Sequence, residues 1–282
     1  MLVIFCLKTG YSSNMKTETV SIIISTKNRA CYLPRALDSV ISQTFTDYIL
    51  YVFDDASTDE TKDLLESYRV KIPSMIILRN EVSQWTTANA RKLVQLSRWR
   101  YIARLDDDDL WLPEKLEKQI EFLEKNSEVV LLGTAIRGIA YDGALLAPKI
   151  NACTDDEIYS TLLQVNQFAQ SSVIFRRKIY FQIWWYDNSF VTEDYELWLR
   201  MKANGGKLAN LSEILTYIGV TEGQITQKKR RRLIRSEIRA VWKYRRVYPG
   251  WIRASIKRLG ALMLSPKISR LIGGYLRKYT SF

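Results

Sequence analysis

Four consecutive carboxylates, Asp106-Asp107-Asp108-Asp109, directly follow the apolar stretch Tyr101–Leu105 and lead into Leu110-Trp111-Leu112-Pro113. Adjacent like charges repel, so such a turn either stays solvated or holds a cation, and an all-oxygen donor set suits Mg2+ or Mn2+. A second acidic pair, Asp54-Asp55, follows the apolar stretch Tyr48–Phe53. If both stretches are strands of one parallel sheet, both acidic ends share an edge. A third pair, Glu193-Asp194, opens a helical pattern that stops at Gly205-Gly206, and the positive end of a helix favours carboxylates on its own account. The chain has no histidine, which removes Ser-His-Asp and Cys-His triads, HExxH zinc sites and imidazole acid-base chemistry. Proton transfer therefore falls to carboxylates, Lys, Tyr or Cys. Cys6, Cys31 and Cys153 are odd in number and show no Cys-x-x-Cys spacing, which argues against a disulfide framework or a zinc ribbon and fits a reducing compartment.

The elements that must hold these carboxylates are legible as alternating patterns. Apolar strands at Val20–Ser25, Tyr48–Phe53, Ser74–Leu78, Tyr101–Leu105 and Val129–Leu132 are separated by helical segments. That order predicts an α/β fold with a mostly parallel sheet flanked by helices and ligands at the carboxyl ends of the strands. The first helix places Leu33, Leu37, Val40 and Ile41 on one face. The second is expected to open on a capping box, Ser57-Thr58-Asp59-Glu60, and another to carry Pro113 in its first turn, followed by Leu116, Ile120 and Leu123. Beyond Gly133 the pattern loosens, with a further capping box at Thr154 and Glu157 and a strand at Ser172–Phe175. At 282 residues, 47% hydrophobic and 26% charged, the chain is long enough for one large domain with an appendage or for two small ones.

Five segments in order resemble the family 2 inverting glycosyltransferases, whose nucleotide-diphospho-sugar domain is the GT-A fold. They are Val20-Ser-Ile-Ile-Ile-Ser-Thr-Lys-Asn28, Gln43-Thr-Phe45, Asp54-Asp-Ala-Ser-Thr-Asp59, Leu105-Asp-Asp-Asp-Asp-Leu-Trp-Leu-Pro113 and Glu193-Asp-Tyr-Glu-Leu-Trp198, within residues 18–226. The resemblance implies that Ser25 and Asp55 hold the nucleoside, Asp55 accepting a hydrogen bond from the base, with Thr26, Lys27 and Asn28 beside them. It places Asp106 near the ribose and Asp108 on a Mn2+ or Mg2+ ion, with Asp107 or Asp109 assisting. Inversion needs a base that deprotonates the acceptor hydroxyl as it attacks. Asp194 matches the family's base and Glu193 is the alternative, while Glu196 ranks lower. Some positions depart from the pattern. Lys27 stands where an aromatic commonly stacks on the base, so a cation–π or phosphate contact is expected instead. The segment Ala88-Asn-Ala-Arg91 is blurred, with Leu93 for a glycine. Gly219 and Thr221 stand where many relatives place an Arg and a His, leaving Gln224 or a tail lysine as substitutes. Gln167–Val173 resembles an acceptor-side segment or is an ordinary loop; Trp184, Trp185 and Tyr186 form either a sugar platform or core.

The net charge of +12 belongs to the C-terminus: residues 228–282 hold 17 Lys and Arg and one acid, Glu237, leaving the rest slightly acidic. We therefore divide the chain into a GT-A domain, residues 18–226, and a basic amphipathic helical tail, residues 227–282. The tail has three stripes: Ile234, Ile238, Val241 and Trp242; Ile252, Ile256, Leu259 and Met263; Ile268, Leu271, Ile272, Tyr275 and Leu276. Without an RRM, helix-turn-helix or zinc pattern, these argue against nucleic acid and for an anionic membrane surface, the alternative being stripes that pack on the catalytic domain. No stretch approaches the ~18 apolar residues of a membrane span. Leu2–Leu7 lacks the flanks of a secretory signal, and the working start is either Met1 or Met15, the latter just ahead of the first strand. The expectation is a metal-assisted inverting glycosyltransferase, cytoplasmic and peripheral on the inner face of the cell membrane. It would carry a sugar from a nucleotide donor, UDP-linked, to a lipid-linked or cell-surface glycan. Two rivals remain at this stage. One is a catalytically inactive sugar-nucleotide or nucleic-acid binder; the other, a nucleotidyltransferase, would want a Gly-rich phosphate loop that Ser25-Thr-Lys-Asn-Arg29 does not supply.

Overall fold

Val20-Ser-Ile-Ile-Ile-Ser-Thr26 has no polar face, which is what a strand covered on both sides requires. In the computed structural model it is the central strand of a mixed sheet. The structure describes residues 3–4, 20–84, 86–97, 99–140, 142–183, 186–187, 189–220 and 230–263. The strands are β1 (Val3–Ile4), β2 (Val20–Thr26), β3 (Tyr48–Asp54), β4 (Met75–Arg79), β5 (Tyr101–Arg104), β6 (Leu110–Trp111), β7 (Val129–Ala140), β8 (Leu145–Lys149), β9 (Ile174–Arg176) and β10 (Lys207–Val220). They are ordered β1-β4-β3-β2-β5-β9-β7-β10-β6, with β8 added on β7. β4, β3, β2 and β5 run parallel, and the order reverses between β2 and β5, so their carboxyl ends diverge into a cleft.

Alternation divides the core. Ile22 and Ile24 face α1 (Leu33–Ile41), α2 (Thr61–Tyr68) and α4 (Lys115–Lys125). Ile23 faces the other layer, which holds α3 (Thr86–Leu96), α5 (Asp155–Thr161), α6 (Arg177–Gln182) and α7 (Glu193–Ala203). The capping box at Thr154 and Glu157 forms. The one expected at Ser57 does not: α2 starts at Thr61, and Ser57 instead accepts the Asn28 N–H through Oγ at 2.9 Å and donates its own N–H to Asp54 at 2.9 Å. Tertiary bonds between two loops take the hydroxyl that a local cap would use. Pro113 stands just before the first turn of α4, whose Leu116 N–H is accepted by Gln43 Oε1 at 3.1 Å. The strand expected at Val129–Leu132 runs on to Ala140 because β10 pairs along its whole length, and the strand expected at Ser172 starts at Ile174, after a 3-10 turn.

The C-terminal region contributes α8 (Arg230–Tyr244) and α9 (Trp251–Met263), broken at Pro249-Gly250, where Gly250 has φ of 72°. Ala240, Val241, Tyr244, Tyr248 and Ala254 join the α5/α7 core, and Tyr248 Oη donates to Leu199 O. Among the described residues no helix is long and apolar enough to cross a membrane. Met15, Trp184, Trp185, Thr221, Gln224 and the stripe from Ile268 to Leu276 lie outside the described residues.

Candidate active site

Asp55 leaves β3 and its backbone N–H donates to Thr26 O at 2.9 Å, tying the ends of β2 and β3 together. Its Oδ1 accepts from Asn80 Nδ2 at 2.6 Å and the Gln84 N–H at 2.9 Å, and its Oδ2 from Ser83 Oγ at 2.6 Å. Burial alone would raise its pKa, but these donors outweigh it and bring the carboxyl down to about 2. Asn80 is held in turn by Asn89, fully buried on α3. Asp54 is structural: Arg79 pairs with it and reaches on to Ser57 O at 2.6 Å. Beside them, near the end of β2, Ser25 Oγ is buried and without a hydrogen-bond partner among the described residues. Asn28, with φ of 53°, accepts the Thr58 N–H at 2.7 Å and braces the loop, while Lys27 is exposed above it.

The acidic turn is built differently. Asp109 points inward, 5% exposed, and accepts the Gly219 N–H at 2.8 Å. A Cβ at Gly219 would lie 2.1 Å from Asp108 O, so this position needs glycine because β10 passes against the turn. That close approach is the physical reason for one of the departures noted in the sequence. Arg29 spans Asp107, through Nε at 3.2 Å, and Asp108, through Nη2. Asp106 keeps 46% of its side chain open, with Gln170 Nε2 donating to it at 3.3 Å and the buried Arg104 guanidinium ion-paired at 3.9 Å. Its N–H donates to Ser171 Oγ, so that hydroxyl of the Gln167–Val173 segment is committed to the turn. Burial drives the Asp107 carboxyl up to about 6 against the pull of the Thr26 hydroxyl and Arg29. Burial raises Asp109 further, reinforced by the charges of Asp106 and Asp108.

Glu193 and Asp194 form the first turn of α7. Burial lifts Glu193 to about 7, reinforced by Asp194; burial lifts Asp194 to about 6, with the Tyr195 N–H pulling down and the Asp106 charge pushing up. Arg104, 2% exposed, lowers both, and its Nε and Nη1 lack hydrogen-bond partners among the described residues. The helix start and the acidic turn are thus close enough for their charges to act on each other. Glu196 is not in it: fully buried, it accepts from Arg200, Lys243 and Tyr244 and clamps α7 to α8. Tyr186 is core, 4% exposed against Tyr180. Sequence reasoning missed Arg29, Arg79, Asn80, Ser83, Asn89 and Arg104. Arg104, directly before the acidic turn, and Arg79-Asn80, ending β4 on the same edge, carried a positional signal.

Among the described residues no three carboxylates converge as a complete metal cage. The turn nevertheless fits a hard divalent ion: Asp106 and Asp108 offer carboxylate oxygens, Arg29 already places a cation against the turn, and Mg2+ ordinarily takes one or two carboxylates plus phosphate and water.

A model of glycosyl transferase family 2 matches residues 21–184. The chain is 30% identical over 226 residues to the Escherichia coli UDP-Glc:alpha-D-GlcNAc-diphosphoundecaprenol beta-1,3-glucosyltransferase WfaP, covering 77% of this chain and 84% of that protein. It is 28% identical to an uncharacterized glycosyltransferase of Methanocaldococcus jannaschii, over 71% of this chain and 70% of that one. Among solved structures, Staphylococcus aureus TarS with UDP superposes with a TM-score of 0.63 at 18% identity, over 79% of this chain and 65% of TarS. The Pyrobaculum calidifontis mannosyltransferase PcManGT, solved with GDP-Man and Mn2+, gives 0.64 at 14% identity, over 93% and 81%. The fold is the GT-A fold, and the chain belongs to glycosyl transferase family 2.

Proposed function

We propose that this glycosyltransferase transfers a sugar, with inversion, from a UDP-linked donor to a lipid-linked or cell-surface glycan acceptor at the inner face of the cell membrane. One observation carries the reading: the Glu193-Asp194 helix start lies close enough to Asp106 of the acidic turn to feel its charge, and the carboxyls of Asp107, Glu193 and Asp194 are raised. Asp55 and Ser25 receive the base and nucleoside, with Thr26, Lys27 and Asn28 around them. Asp106 takes the ribose side, and Asp108, supported by Asp107, holds Mg2+ or Mn2+. When bound, that ion neutralises charge on the departing diphosphate.

Asp194 accepts the proton of the acceptor hydroxyl as its oxygen attacks the anomeric carbon from the face opposite the diphosphate. The new C–O bond forms as the C–O bond to phosphate breaks, and the electron pair leaves on the nucleoside diphosphate. A pKa of about 6 makes Asp194 a stronger base than an ordinary carboxylate while leaving it ionised at neutral pH. The UDP donor is supported by the names of WfaP and of the TarS complex, and the lipid-diphosphate acceptor by that of WfaP. Thermal unfolding with UDP, GDP, CDP and dTDP, each with and without Mn2+, tests the reading. A metal-dependent rise with UDP is expected, about 2.7 kcal/mol at a hundred times the dissociation constant. A metal-independent rise, or none with any nucleotide, would overturn it.

A further inference from the structure

Helix α9 is built with its apolar side outward. Its buried face is Ala254, Ser255 and Arg258. The Arg258 guanidinium is fully used there, donating to Glu237 at 2.9 Å, to Tyr195 Oη at 3.1 Å and to Gln164 O at 3.4 Å. Ile252, Ile256, Leu259 and Met263 are 58%, 66%, 45% and 85% exposed. At 100° per residue these four fall within an arc of about 60°, a continuous stripe. Single exposed aliphatic residues are ordinary, whereas a contiguous stripe on a helix held in place by a buried guanidinium marks an interaction surface.

The surroundings of the stripe identify what it meets. Trp242 of α8, 51% exposed, lies 6.0 Å from the Trp251 ring that opens α9, and the Arg245 guanidinium sits 5.3 Å over it. Arg253 and Lys257, both exposed, each follow a stripe isoleucine by one residue and so form a basic edge about 100° around the helix. Glu237 is the sole acid of residues 228–282, and it is paired with Arg258. The face is therefore apolar along its centre and positive along one side, with an exposed Trp242 near the start of the helix.

We propose that this face of α9, with Trp242, docks on an anionic lipid bilayer. Ile252, Ile256, Leu259 and Met263 enter the headgroup–acyl boundary, Trp242 sits at headgroup level, and Arg253 and Lys257 meet lipid phosphates. The inference rests on the membrane-linked acceptor proposed above and names the surface that brings the enzyme to it. Pairing with a second copy would bring like-charged edges together.

Flotation of the full chain with vesicles of phosphatidylcholine, alone or with 30% phosphatidylglycerol, tests this at ~0.1 M salt. At least tenfold greater recovery with the anionic vesicles is expected, falling as salt is raised. The double variant Ile256→Glu/Leu259→Glu should lose tenfold or more, and Arg253→Gln/Lys257→Gln should bind less tightly with a shallower salt dependence. Unchanged binding by both variants, or equal binding to the two vesicle types, overturns the proposal. So does a dimer by light scattering that disappears in Ile256→Glu/Leu259→Glu without any vesicle binding. Nucleotide-induced stabilisation, measured on the same samples, separates the readings: vesicle binding without any nucleotide response defeats the donor assignment and leaves the docking face standing.

Discussion

The two acidic strand ends look alike in sequence and are opposite in physics. At the end of β3, Asp55 has donors on both oxygens and is held at about 2. At the end of β5, Asp107 and Asp108 share one guanidinium, and burial raises Asp107 to about 6. The first end is finished. Its shell of Asn80, Ser83 and the Gln84 N–H leaves room for about one more donor, which suits the N–H of a base. At the second, one guanidinium serves two carboxylates, and the cation proposed above would supply the further positive charge. Glu193 and Asp194 belong with the second kind, raised by burial, which suits the proton transfer proposed for them.

Replacing a group of the underpaired kind should cost the most. Asp194→Asn is expected to lower kcat by about 10²–10⁴ with nucleotide-induced stabilisation retained, measured by turnover of a UDP-sugar with a lipid-linked acceptor. A loss under tenfold would move the base to Glu193. Because the base must be ionised, kcat should climb with pH through the coupled range of about 6 to 7 and then level off. Stability runs the other way. Both folded-state pKa values lie above the unfolded ones, so the ligand-free protein gains stability from this pair as pH falls from about 7 towards 4 and loses it as they ionise. Next in size, Asp108→Ala should abolish the metal-dependent part of nucleotide stabilisation, about 2.7 kcal/mol at saturating ligand. Metal-dependent stabilisation that survives this change would place the ion elsewhere.

The finished end should fail differently. Asp55→Asn leaves two or three donors facing an amide and is expected to cost about 1–3 kcal/mol in denaturant unfolding at pH 7, with the Mn2+ dependence of nucleotide binding intact. The Asp55 contribution is present above the ordinary carboxylate pKa near 3.9 and fades as pH falls towards about 2, so the deficit should narrow in acid. An equal deficit at pH 7 and pH 3 would show that packing, not charge, is lost.

The central strands and the three acidic clusters were legible because each is local: a strand buried on both faces is a continuous apolar run, and carboxylates at its end stand in sequence beside it. What was not legible comes from distant pairing. The antiparallel insertion of β9 between β5 and β7, the hydrogen bond from Gly219 to Asp109, and the donors to Asp55 from residues 80–84 join segments 25 to 110 positions apart. The stripe of α9 shows the same limit. Its spacing is equally that of a buried or an exposed face, and Arg258 with its partners decides which.

The smallest expected effect concerns Arg29, which among the described residues is the one positive charge laid across Asp107 and Asp108. In the proposed site a metal ion and this guanidinium would compete for the same carboxylate, so Arg29 would have to release Asp108 before it could coordinate. The Tyr32 ring, 4.4 Å from the guanidinium carbon, gives it a second contact to keep as it turns away. Arg29→Met retains the stem and removes the charge. Mn2+ alone, followed by the loss of its free electron-spin-resonance signal, should bind about tenfold more tightly, or ~1.4 kcal/mol, while the metal-free variant melts lower because two carboxylates now repel unscreened. Weaker Mn2+ binding in that variant would mean that Arg29 orients the acidic turn rather than competing for it, and the turn would then belong with Asp55 among the finished ends.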